Sequence, residues 1–127
     1  MKRLVQYRIW IYETKQMIPL PPIGEEKCDG HRTGYASYTG KYTDMEWLQN
    51  TGLQDKNNEY IYEGDIVEYE FIDGHGIGYI EWIDEKARFV WIDIKDCGDG
   101  YGIHQPDKNR MEILGNIYEH PEMLEGA

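Results

Sequence analysis

The residue types able to do chemistry in this chain are few and scattered. Cys28-x-x-His31 and the more widely spaced Cys97 and His104 supply thiolate and imidazole, two ligand types that zinc accepts. Both pairs lie in Gly- and Asp-containing stretches that loops would be free to bring together. Yet six residues separate Cys97 from His104 and neither pair is a Cys-x-x-Cys, so incidental loop residues are the simpler reading. Asp93, Asp96, Asp99 and Asp107 offer calcium-type oxygens, but not the Asp-x-Asp-x-Asp-Gly loop closed by Glu. A solvated acidic loop is expected there. Glu63-Gly64-Asp65 resembles a carboxylate pair for acid–base work, since neighbouring carboxylates split their pKa values. In a tight turn, Asp65 is better explained as a cap that accepts backbone N–H bonds. His75 and His120 read as exposed polar residues. No Ser/His/Asp spacing, phosphate-cradling glycine loop or nucleophile elbow is present. The expectation is no enzyme, with no catalytic, cofactor-binding or metal-binding residue.

The elements that must position these residues are mostly strands. Leu4 to Tyr12 alternates, with Val5, Tyr7, Ile9 and Ile11 on one face and Gln6, Arg8 and Trp10 on the other. A polar loop over residues 13–16 then leads to a short return strand at Met17–Leu20. Pro19, Pro21 and Pro22 end ladder pairing because they lack an N–H to donate. Residues 23–40 read as a long loop with room for a short strand near Tyr35 to Tyr38. Thr43 to Gln49 fits either a short strand or one helical turn. The stretch Leu48 to Tyr69 organises the rest. It holds one turn at Asp55-Lys56-Asn57-Asn58 and a second at Glu63-Gly64-Asp65, then a strand from Ile66 to Ile72. On that strand Val67, Tyr69 and Phe71 share a face opposite Glu68 and Glu70. Asp73-Gly74-His75-Gly76 predicts a hairpin loop into a strand over Ile77–Ile83. A turn at residues 84–86 precedes a third strand, Arg88–Ile94, and completes a meander. Asp96 to Asp107, with Gly98, Gly100 and Gly102, is turn-like. Met111 to Tyr118 is a last strand in which Gly115 marks a bulge or a close backbone approach. One helical turn over Glu119–Leu124 ends the pattern.

At 127 residues the chain is one domain, able to bury about two-thirds of its unfolded surface. Eleven Tyr and four Trp against two Phe favour surfaces with one apolar and one wet side. The net charge of −11 is uneven: residues 1–40 carry six basic and four acidic residues, whereas residues 41–127 carry seven and twenty. Such an acidic surface repels phosphate and disfavours direct nucleic-acid binding. It suits solubility, or competition for a basic, DNA-binding partner. Two cysteines make no disulfide framework. No charged-then-apolar leader opens the chain, and no run approaches 18 apolar residues. A cytoplasmic protein with reduced thiols and no membrane contact is expected.

Two blocks carry a family likeness. Gln49-x-Thr51-Gly52-Leu53-x-Asp55-Lys56-Asn57, followed by Ile61-Tyr62-Glu63-Gly64-Asp65-Ile66-Val67, resembles the central signature of the YopX family. The stretch Leu114-Gly115-Asn116-Ile117-Tyr118-Glu119-His120-Pro121-Glu122, with Leu124, resembles its closing motif, and Tyr7-Arg8-Ile9-Trp10 with Met17 matches loosely. These are small bacteriophage and prophage proteins of uncharacterised mechanism. The resemblance implies a mainly β fold, with residues 1–47 as an N-terminal β-hairpin and irregular arm. Residues 48–127 would form an SH3-like barrel with a short C-terminal tail. Where the family has Asn-Gly in the first turn, this chain has Asn57-Asn58, and Asn still tolerates the left-handed conformation.

The resulting expectation is a phage or prophage accessory protein of unknown biochemical activity, working as a non-catalytic protein-interaction module for an unknown protein partner. Self-association through an edge strand or the 23–40 arm is a further option. The alternatives are an acidic decoy for a basic DNA-binding partner and a small-barrel nucleic-acid-binding protein.

Overall fold

The computed structural model describes residues 5–21, 44–95, 98, 100–103 and 105–125. Nine strands account for most of them, and they form two sheets. The first has the order β2-β1-β3-β4, and is built from β1 (Tyr7–Ile11), β2 (Gln16–Pro19), β3 (Met45–Gln54) and β4 (Tyr60–Tyr62). The second has the order β8-β7-β6-β5-β9. Its strands are β5 (Asp65–Phe71), β6 (Gly74–Ile83), β7 (Arg88–Asp93), β8 (Tyr101–Gly102) and β9 (Met111–Asn116). Among the described residues one short α-helix, α1 (Glu122–Glu125), follows. The fold is mainly β and small-barrel-like, as the strand pattern and the resemblance implied.

β1 shows how the sheets meet. Ile9 and Ile11 pack with Leu20 in one core, flanked by Tyr7, Ile18, Met45 and Trp47. On the opposite face, with Gln6 and Arg8, Trp10 is buried too, its ring 5.8 Å from that of Tyr118. Arg8 on that same face reaches Asp65 at the start of β5. Both faces of β1 are therefore buried, one in the core with Leu20 and one against residues of the second sheet and the closing block.

β3 runs through the expected division at 47/48. Its first half pairs with β1 from Met45 to Gln49, and its second half pairs with β4 after an irregularity between Asn50 and Gln54. The bend is built locally. Gly52 takes a φ of 83°, its N–H donates to Asn50 Oδ1 at 2.8 Å, and Thr51 donates to the Ile61 carbonyl at 2.7 Å. A strand, not a helical turn, is thus the outcome for residues 45–54.

β4 ends the first sheet, yet its Ile61 sits in the core of the second, with Val67, Ile80, Trp91 and Met111. Trp91 is fully buried and donates its indole N–H to the Val67 carbonyl at 2.8 Å. Its ring lies against the inner side of β6, where a Cβ on Gly78 would come 2.5 Å from it and one on Gly76 would come 3.2 Å. The Gly76-Ile77-Gly78 alternation is therefore the bed for a tryptophan rather than a loop. The hairpin loop accordingly shifts: Phe71 pairs with Gly74, leaving Ile72-Asp73 as the two-residue turn. β9 carries the irregularity expected at Gly115, with Ile66 opposite Gly115 and Val67 opposite Ile113.

Candidate functional site

The two signature blocks meet, and the meeting is structural. Asp55 is buried, and its two carboxylate oxygens accept three backbone N–H groups: Asn57 at 2.9 Å, Glu59 at 3.0 Å and Ile113 at 3.0 Å. One side chain thus folds its own turn and satisfies a donor on β9. Asn58 closes the turn with a φ of 65°, the left-handed conformation that asparagine accepts. Asp65 is also buried. It accepts the Tyr62 N–H at 2.7 Å, as a turn cap should, and pairs with Arg8 at 2.5 Å. The Arg8 guanidinium lies 4.7 Å over the Tyr62 ring. Burial pushes the Asp65 carboxyl up from its usual value, while Arg8 and the Tyr62 N–H pull it back. Gly64, at a φ of 87°, accepts the Ile117 N–H at 2.9 Å and lies under the Tyr118 ring, 3.0 Å from where a Cβ would stand.

The closing motif is tied in the same manner. Asn116 Oδ1 accepts the N–H groups of Tyr118 and Glu119 at 3.1 and 2.8 Å, and its side-chain amide donates to Glu119. His120 is half-buried rather than exposed. Its Nδ1 accepts the Asn116 N–H at 3.3 Å, and its ring fills the space above Gly115. Gly115 is therefore both a bulge and a close approach. His75 is exposed, as expected.

Cys28, His31, Cys97 and His104 all lie outside the described residues, as do Asp96, Asp99 and the side chain of Asp107. Among the described residues no group of three or more His, Cys, Asp or Glu side chains is placed to hold a metal ion. Asp93 Oδ1 caps its own turn through the Lys95 N–H at 2.8 Å.

Among the described residues a concave surface lies elsewhere, on the five-stranded sheet. It is a groove of about 680 Å³ whose apolar lining comes from Tyr69, Phe71, Ile72, Trp91 and Tyr101, with Arg110 and Asp73 as its charged members. The rings form a continuous set: Tyr69–Phe71 centroids are 5.1 Å apart, Phe71–Trp91 5.6 Å, and Trp91–Tyr101 6.1 Å. Buried Trp91 forms the floor. Ile72, 97% exposed at the β5–β6 turn, and Tyr101, 58% exposed on β8, stand in solvent beside it. Sequence reading placed Tyr69 and Phe71 on one face but missed the groove. Tyr101 sits in the glycine-rich stretch, and only β7–β8 pairing brings it beside Trp91.

No helix among the described residues is long and apolar enough to cross a membrane. No curated protein matches the chain. Among solved structures it is similar to protein EF1440 from Enterococcus faecalis. That match has a TM-score of 0.62 at 23% identity and covers 97% of this chain and 99% of the other. The likeness is one of fold. The family model described as "YopX protein" matches residues 6–125, so it spans both signature blocks and the strands they tie together. The chain belongs to the YopX family.

Proposed function

We propose that this protein is a non-catalytic interaction module that presents the Tyr69–Tyr101 groove to an extended segment of a protein partner. The observation that carries this is the groove itself: continuous rings on a buried Trp91 floor, with Ile72 and Tyr101 left in solvent. Contiguous exposed apolar surface of this kind marks a binding site more often than not, and aromatic rings give contact area at low entropic cost. The buried carboxylates Asp55 and Asp65, the nearest thing to an acid–base pair in the signature, are occupied by backbone N–H groups and Arg8. The family likeness supports, as part of this reading, a phage or prophage accessory role in the bacterial cytoplasm. Placing a photo-crosslinking residue at Ile72 in cells tests the groove. Crosslinks to a discrete partner from position 72, and none from exposed Glu85 on the far turn, are the expected result. Equal crosslinking from both positions would remove the groove from the account.

The second reading, an acidic decoy for a basic DNA-binding partner, is favoured by one observation, the seven basic and twenty acidic residues over 41–127. It differs from the first in salt dependence: contacts between exposed charges fade with ionic strength, whereas an apolar groove holds.

A further inference from the structure

Two cavities of the second sheet adjoin at one strand. The aromatic groove of about 680 Å³ is lined by Tyr101 and Gly102, and a second cavity of about 380 Å³ by Gly102 and Ile103. The second is also apolar, with Leu53 and the paired rings of Trp82 and Phe89, 5.0 Å apart. β8 therefore has a hollow at either end. Its Tyr101 stands opposite Trp91 and touches that ring, while Ile103 packs against the core that holds Trp91. Tyr101 and Ile103, two residues apart, thus share the inner face. β8 is also the edge of its sheet, paired with β7 alone among the described residues. An edge presents unpaired backbone donors and acceptors, which makes it a template for an added strand. The charges beside it run against the rest of the surface. Residues 41–127 hold seven basic and twenty acidic residues, yet the two linings together hold Arg88 and Arg110 against Asp73 alone. These are the only arginines after residue 40. Both are exposed, and among the described residues neither joins an ion pair, the pairs there being Arg8–Asp65 and Lys56–Glu112. The Arg88 guanidinium lies over β8 itself, 3.0 Å from where a Cβ on Gly102 would stand.

We propose that the occupant is an acidic, extended segment of a partner protein that adds to the β8 edge as a sixth strand. This rests on the groove reading and gives the segment its chemistry. Side chains on one face of a strand recur at every second residue, about 6.6–7 Å apart. Two apolar side chains at i and i+2, opposite Tyr101 and Ile103, therefore enter the two cavities. Carboxylates flanking them meet Arg110 and Arg88, and a guanidinium bonds a carboxylate as a fork. Backbone pairing supplies affinity in such strand addition, and the alternating pockets supply selectivity. The apolar contacts hold the segment, and the charges choose it. The remainder of residues 41–127 repels an acidic segment, so this edge is the place on that half of the chain where one is accepted.

The test is an amide NMR titration of the full chain with the capped heptapeptide Ser-Glu-Leu-Thr-Leu-Glu-Ser, run beside copies in which both Glu are Gln or both are Lys. Saturable shifts centred on Tyr101, Gly102 and Ile103 are expected, with affinity falling in the order Glu, Gln, Lys. Arg88→Gln and Arg110→Gln should each weaken the Glu peptide about threefold and leave the Gln peptide unchanged. Both side chains are exposed, so the variants keep the fold. Strand addition uses only alternate backbone N–H groups of the added strand. N-methylation of both leucines, or of the threonine, should therefore abolish binding in one case and spare it in the other. Equal binding of the Glu and Gln peptides at these residues would overturn the acidic partner and keep the groove. Equal effects of the two N-methylations would overturn strand addition. Shifts of Tyr101 and Gly102 with chain concentration, before any peptide is added, would give the edge to a second copy and overturn the proposal. Absence of saturable shifts with every peptide would also overturn it, and the groove would still be judged by crosslinking at Ile72.

Discussion

Asp55 shows how one residue can resemble a site and act as a clamp. Its carboxylate is buried and accepts three backbone N–H groups, one of them 58 residues away on β9. Asp55→Ala would strand those donors, and each buried donor left unpaired costs about 1–3 kcal/mol. The expected loss is at least ~3 kcal/mol in urea unfolding, with Asp55→Asn falling between it and the parent. A loss below ~1 kcal/mol would show that water replaces the carboxylate. Glu63 yields a prediction in pH. Its folded carboxyl is raised above the unfolded value, mainly by burial, so the folded chain takes up its proton first as pH falls. That contribution to stability is fully present below the unfolded pKa and lost as pH rises through the folded one. Glu63→Gln mimics the protonated form at every pH. The parent should therefore gain melting temperature relative to Glu63→Gln as pH is lowered from 7 towards 4. A constant difference would place Glu63 in an ordinary solvated setting, and an opposite one would mean that the fold stabilises its carboxylate.

Among the elements, β6 is the one whose sequence is most easily misread. Gly74-His75-Gly76 has turn chemistry, but Gly76 and Gly78 lie in a strand because the Trp91 ring needs a flat, side-chain-free bed. Gly78→Ala should overpack the core and cost about 1–3 kcal/mol, with a shift in the Trp91 fluorescence maximum. An unchanged melting temperature would mean that the ring is free to move away. Three features around this core were legible: the alternation of Val67, Tyr69 and Phe71, the β6–β7 meander, and the irregularity at Gly115. These rest on side-chain period and backbone freedom, which are local. What escaped reading is non-local. Trp10 is buried on the face it shares with Gln6 and Arg8 because Tyr118, over a hundred residues on, packs against it, and His120, read as exposed, is held by Asn116 and Gly115. The ten-residue run of β3 was split in expectation, with Thr43–Gln49 read as a short strand or helical turn and a division placed at 47/48. Instead Asn50 and Thr51 bond the backbone around it and turn the strand from one sheet towards the next.

For the molecule as a whole, the two signature blocks are best understood as the fastenings of the fold. Asp55 reaches β9, Asp65 holds Arg8 of β1, and Gly64 receives Ile117. The proposed interaction surface, the aromatic groove, is formed by other residues than these fastenings. Should the groove's exposed Ile72 and Tyr101 drive self-association, light scattering behind size exclusion will report a dimer that Ile72→Ser abolishes. A clean monomer near the chain mass of 15.0 kDa at high concentration would exclude self-association and leave the groove to another partner. The most direct measurement compares affinity capture from host cells by the parent and by an Ile72→Ser/Tyr101→Ser variant, each washed at low and high salt. Both side chains are exposed, so the variant should fold. The account predicts a discrete partner retained by the parent at both salt concentrations and lost from the variant. Retention by the variant, or loss from the parent on raising salt alone, would contradict it.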